Sequence, residues 1–146
     1  STLIITGNKN LLSSNKYILV ASRHKDWLRQ AERNLKSAEI NVQSGLYEEA
    51  CYESQQAGEK AVKALLNYLH KEMRGYSITL LLQATNINIP GEILKCAQEL
   101  DKHYIPSRYP DVYDQGAPVD YYNEDDARKC MVCGKEILNW VKEIVG

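Results

Sequence analysis

No run of apolar residues approaches the roughly 18 needed to span a bilayer, and the first residues lack the charged start and small-residue cleavage site of an export signal. No membrane partner is therefore expected, and the cytoplasm is the expected compartment. Neither sign of charge prevails. Eighteen Lys and Arg against 19 Asp and Glu leave a net charge of -1, so no global field draws the chain to nucleic acid, and any such affinity must come from a local patch. Histidine is scarce: only His24, His70 and His103 are present, which leaves few candidates for a general base. A Walker loop, a dinucleotide glycine fingerprint, H-E-x-x-H and G-x-S-x-G are all missing. No catalytic residue and no cofactor are assigned.

Cysteine is sparse as well. Cys51, Cys96, Cys130 and Cys133, in a helix-patterned chain without an export signal, read as reduced thiols rather than a disulfide framework. Cys130-Met131-Val132-Cys133 has C-x-x-C spacing, but zinc needs two more ligands, preferably from a second close pair, and none exists. The pair also lies inside a helical pattern behind three acids, away from a helix start that would lower a thiol pKa. It reads as buried small hydrophobes, and no metal is assigned.

The chain does have a core. Its 146 residues are 44% hydrophobic, enough for one continuous interior without staples. Residues 1–22 stand apart: Thr2-Leu3-Ile4-Ile5-Thr6 and Lys16-Tyr17-Ile18-Leu19-Val20 are strand-like runs around the turn-rich Gly7-Asn8-Lys9-Asn10 and Ser13-Ser14-Asn15. They predict a short N-terminal β-hairpin, with a leader attached to the helical part as the alternative. From residue 23 to 146 the period becomes 3.6.

Trp27, Leu28, Ala31, Leu35, Ala38 and Val42 form the stripe of a first long helix that Gly45 can end in the left-handed conformation. Its basic line of Lys25, Arg29, Arg33 and Lys36 is flanked by acids and reads as a solvated face. A second helix from Tyr47 to about His70 buries Ala50, Cys51, Ser54, Ala57, Gly58, Ala61, Leu65, Tyr68 and Leu69. It exposes Gln55, Gln56, Glu59, Lys60 and Lys63, and His70 caps its C-terminus. Its small residues imply close approach by another helix. Ser77 caps a short helix to Thr85, Pro90 opens a fourth running to about His103, and Asn123 caps the last, which starts with Glu124, Asp125 and Asp126. The expected fold is all-α, an up-and-down bundle of four to five helices.

Residues 104–122 break the pattern. They hold five of the ten tyrosines and three of the four prolines and contain no periodic apolar run. A connection this long is usually functional or disordered, and its aromatic content argues against disorder. Arg108, flanked by Tyr109 and fixed between Pro106 and Pro110, is a fork suited to phosphate or carboxylate, with aromatic faces on which a base could stack. Equally, it could bridge to Asp111 or Asp114 and pin the loop to the bundle.

The segment Glu53-Ser54-Gln55-Gln56-Ala57-Gly58-Glu59-Lys60-Ala61-Val62-Lys63-Ala64-Leu65-Leu66 is followed by Ser77-Ile78-Thr79-Leu80-Leu81 and then by Arg108-Tyr109-Pro110-Asp111. With the helix of Trp27-Leu28 and Ala31 before them, these blocks resemble a HEPN domain over about residues 24–145. The resemblance implies a bundle that pairs as a homodimer and works with nucleotides: as the partner of a minimal nucleotidyltransferase in toxin–antitoxin fashion, as a nucleotide-binding domain, or as a metal-independent ribonuclease toxin. The nuclease members place a His beyond the Arg with roughly four to six residues between the two, where it can move protons at the ribose 2'-hydroxyl. Here those spacings hold Tyr113, Asp114 and Gln115, and Tyr76 stands where relatives often carry a second His. With an unperturbed pKa of about 10, Tyr is a poor base at neutral pH. The expectation is a non-catalytic module that binds a nucleotide or RNA ligand, or a nucleotidyltransferase, through Arg108, Tyr109, Lys60, Lys63, Gln56 and Tyr113. The alternative is a divergent ribonuclease using Arg108 with His103 or Tyr113.

Overall fold

The computed structural model describes residues 3–5 and 19–146. Two three-residue strands, β1 (Leu3–Ile5) and β2 (Leu19–Ala21), pair antiparallel with Ile4 opposite Val20. The turn residues between 6 and 18, on which the hairpin reading also drew, lie outside the described residues. The remainder is helical: α1 (His24–Gln43), α2 (Tyr47–Tyr68), α3 (Ile78–Ala84), α4 (Gly91–Asp101) and α5 (Glu124–Val145).

The helix ends follow local chemistry. At the end of α1, Gly45 takes φ +74° while its N–H donates to Val42 and that of Leu46 to Asn41, a Schellman closure. The end of α2 closes in the same way, with the N–H groups of His70 and Lys71 donating to Asn67 and Leu66. His70 itself occupies the left-handed position at φ +61°. It ends the helix through its backbone, whereas the sequence suggested a side-chain cap. Asn123 and Asp126 exchange side-chain and backbone bonds at 2.9 and 3.0 Å as a capping box for α5.

α2 is the shaft of the bundle, touching α1, α3, α4 and α5. Its small residues allow this. A Cβ on Gly58 would lie 2.8 Å from Ile78 Cδ1, and one on Gly134 of α5 would lie 3.0 Å from the Ser54 carbonyl oxygen. The interior is filled by Ala61, Leu65, Ile78, Leu82, Leu100 and Ile137, all buried. Because α2 is covered on several sides, its polar face differs from the sequence expectation: Gln55 and Glu59 are buried, whereas Tyr68 at the helix end is exposed. Asn34 of α1 is buried too, donating to Glu53 at 2.8 Å and accepting from Lys60 at 3.0 Å. α4 ends at Asp101, two residues earlier than the periodicity suggested, and the chain then turns through residues 102–108.

Candidate functional site

Residues 102–123 run over the ends of α2, α4 and α5 as a tightened loop with two 3-10 turns, Pro110–Val112 and Pro118–Asp120. Its tyrosines hold it in shape. The Tyr113 hydroxyl donates to the Pro106 carbonyl at 2.8 Å, the Tyr113 ring stacks on Tyr121 at 4.0 Å, and the Tyr121 hydroxyl donates to the Gln115 carbonyl. Ser107 is buried and donates to the His103 carbonyl. Proline and tyrosine together thus give the segment a defined path without regular ladders.

This path sets Arg108 over the face of Tyr52 on α2, with the guanidinium carbon 4.1 Å from the ring centroid. Tyr104 lies 6.0 Å from Tyr52 and stacks on Tyr76 at 3.8 Å. Among the described residues Arg108 makes no ion pair with Asp111 or Asp114, so the bridging alternative is not realised; the cation rests on an aromatic face instead. Burial raises the Tyr52 pKa, and the nearby Arg108 charge opposes the rise.

A polar chain runs away from this cluster along α2. Gln55 donates to the Tyr76 carbonyl at 2.9 Å, Gln56 donates to Gln55 and to Glu59, and Lys63 donates to Glu59 at 2.9 Å. The Lys63 charge is therefore met inside the protein, and its ammonium also lies 5.8 Å from the Trp27 ring. Lys63 and Trp27 line an open cleft of about 370 Å³ with Asn67, Lys71 and Arg74. Lys60 turns toward α1 and Asn34.

Of the residues singled out from sequence, the structure gives Arg108 an aromatic seat and Gln56 a place in the network beside it. It sends Lys60 and Lys63 to other partners, leaves Tyr109 exposed, and uses the Tyr113 hydroxyl within the loop. Tyr52 was missed, Tyr76 was noted only as the residue in place of a His, and Tyr104 only as part of the tyrosine-rich loop. Tyr52 had a local signal, standing one helical turn before Gln56 on the same stripe.

His103 lies in the first turn after α4. Its Nδ1 is 2.8 Å from the Tyr122 hydroxyl and its Nε2 is 3.0 Å from Glu99 Oε2. Burial alone would lower its pKa, but the adjacent Cys130 and the Glu99 carboxylate outweigh burial and hold it above the ordinary value.

Comparison with known proteins agrees with this architecture. The HEPN domain family matches residues 24–144. The crystal structure of TT1696 from Thermus thermophilus superposes with a TM-score of 0.81 at 35% identity, covering 84% of this chain and 98% of that one. ST0689, described as an archaeal HEPN homologue, superposes with a TM-score of 0.75 at 52% identity, covering 86% of this chain and all of its own. A Methanocaldococcus jannaschii protein named "Putative toxin MJ1304" is 24% identical over 132 residues, 83% of this chain and 87% of that protein.

Proposed function

The chain belongs to the HEPN domain family, and from that premise we propose that it is a non-catalytic binding module whose Arg108 takes the phosphate of a nucleotide, free or presented by a nucleotidyltransferase partner. The observation that carries this reading is the seating of Arg108 on Tyr52 beside the Tyr104–Tyr76 stack. A guanidinium seated on an aromatic face keeps N–H donors in a planar fork, which suits bidentate bonding to a phosphate. Exposed Tyr109 supplies an aromatic face for a base. Gln56, Lys60, Lys63 and Tyr113 frame the surface rather than contact the anion in this reading, since each has an internal partner.

The two groups that a ribonuclease reading needs are also engaged. His103 is held between Tyr122 and Glu99, and Tyr113 bonds within the loop. Calorimetric titration with ATP and GTP tests the proposal. Arg108→Ala and Arg108→Lys are both expected to weaken binding by about 1.5–3 kcal/mol, or about one to two decades, because Lys offers only a point charge. RNA incubated with the protein in chelator should remain intact. Cleavage that disappears in His103→Ala or Tyr113→Phe would replace the binding module with a ribonuclease.

In the same reading the module works as a homodimer. Val112, Val119 and Tyr121 are exposed along the loop, a composition suited to an interface core, and two-fold pairing is the commonest closed assembly. Light scattering at micromolar concentration should give twice the 16.6 kDa chain mass; a monomer would remove this part of the reading.

A further inference from the structure

The C-x-x-C pair does not act as a pair. Cys130 faces Cys51 of α2 and His103, whereas Cys133 turns to Cys96 of α4. We propose that Cys51, Cys130 and His103 form a buried binding site for a soft divalent cation of the zinc type, tying α2 and α5 to the turn after α4.

Three observations carry it. First, one donor atom from each of the three residues lies within 4.8 Å of the others. A tetrahedral zinc with bonds of about 2.0–2.3 Å sets its donors about 3.3–3.8 Å apart, so closing the cluster needs shifts of at most roughly 1.5 Å in the donor separations. Second, the donor set is selective. Two thiolates and an imidazole suit zinc and disfavour Mg²⁺ and Ca²⁺, which take oxygen ligands. Third, His103 is already oriented as a ligand. The Glu99 carboxylate holds Nε2 at 3.0 Å, the carboxylate–histidine arrangement that fixes the imidazole of metal sites, and this leaves Nδ1 for the ion. The Tyr122 hydroxyl, 2.8 Å from Nδ1, must yield that nitrogen, and either it or a water completes the fourth position.

Charge also balances. With His103 neutral, two thiol protons leave to solvent as one divalent ion enters, so the cluster keeps its net charge; an imidazolium must first release its own proton. Cys51 and Cys130 are fully buried, where a change in net charge would be strongly disfavoured. His103 and Tyr122 are only partly buried and mark the side from which an ion can reach the thiols.

The test uses the intact chain. Cobalt(II) titration, read by the thiolate charge-transfer and tetrahedral d–d absorption, is expected to saturate at a single equivalent. Zinc should then bleach both bands, and a gel-filtered zinc-treated sample should retain the metal. Cys133→Ser should behave as wild type. Cys51→Ser and Cys130→Ser should lose at least about tenfold in affinity, and Glu99→Gln should weaken it by about 10–100-fold through the imidazole. Cys51→Ser retains a hydroxyl that can donate to the Asp126 carbonyl, which now accepts from the thiol, so its fold should survive; circular dichroism checks this. The proposal is overturned if the folded wild-type chain shows no thiolate–cobalt band. It is equally overturned if Cys51→Ser binds as tightly as wild type or binding vanishes in Cys133→Ser. Should either cysteine variant unfold, the wild-type spectrum and His103→Gln decide the matter.

Discussion

Asp101→Ala is expected to destabilise the bundle by about 3 kcal/mol, seen as a fall in Tm of roughly 6–12 °C. The Asp101 carboxylate at the end of α4 reaches across to the start of α3. There it accepts from Ser77 Oγ at 3.1 Å, the Ile78 N–H at 2.8 Å, the Thr79 N–H at 3.1 Å and Thr79 Oγ1 at 2.8 Å. The first N–H groups of a helix have no partner within it, so alanine would strand two backbone donors in a partly buried place and remove a negative charge from the positive helix end. Asp101→Asn should lose about half as much, because its amide can accept but also turns a donor toward donors. The effect should reach the candidate site: Tyr76 immediately precedes Ser77, and its ring stacks on Tyr104. A change in Tm of less than about 2 °C would show that water replaces the carboxylate without loss.

Lys63→Met is the second substitution with a large expected effect, again about 3 kcal/mol, measured as a shift in urea midpoint. The Lys63 and Glu59 side chains are only 18% and 11% exposed and meet at 2.9 Å. Removing the ammonium leaves a carboxylate enclosed among helices with, among the described residues, only Gln56 to donate to it, and an orphaned buried charge costs far more than a surface ion pair contributes. Glu59→Gln combined with Lys63→Met should recover most of the loss, since neither partner is then left charged. An unchanged midpoint for Lys63→Met would return Lys63 to the set of groups free to meet a ligand.

The helices and their ends were legible in the sequence because the information is local. A 3.6-residue stripe, Gly45 after the last periodic residue, Ser77 before an apolar run and Asn123 three residues before Asp126 each state their meaning within one or two turns. What was hidden depends on distant partners. Gln55 and Glu59 look like a solvated face until α2 is known to be enclosed on several sides, and their burial is tolerable only because Tyr76, Gln56 and Lys63 supply the bonds. Arg108 was visible as a preorganised cation, but its seat, Tyr52, lies 56 residues earlier in the chain. The split of Cys130 from Cys133 has the same origin. Spacing places two thiols on neighbouring sides of a helix, and only packing decides which helix each one meets.

The way α2 is surrounded has a consequence for the order of assembly. α1 and α2 are joined by the three residues Ser44, Gly45 and Leu46, so their contacts close the shortest loops in the bundle and form with the smallest loss of chain entropy. α5 begins more than fifty residues after α2 ends, and its docking must wait for the slower closure of that long interval. Cys51, His103 and Cys130 come from α2, the turn after α4 and α5 in turn. Their meeting therefore requires that long interval to close, and Cys51 and Cys130 are buried together only with α5 seated on α2.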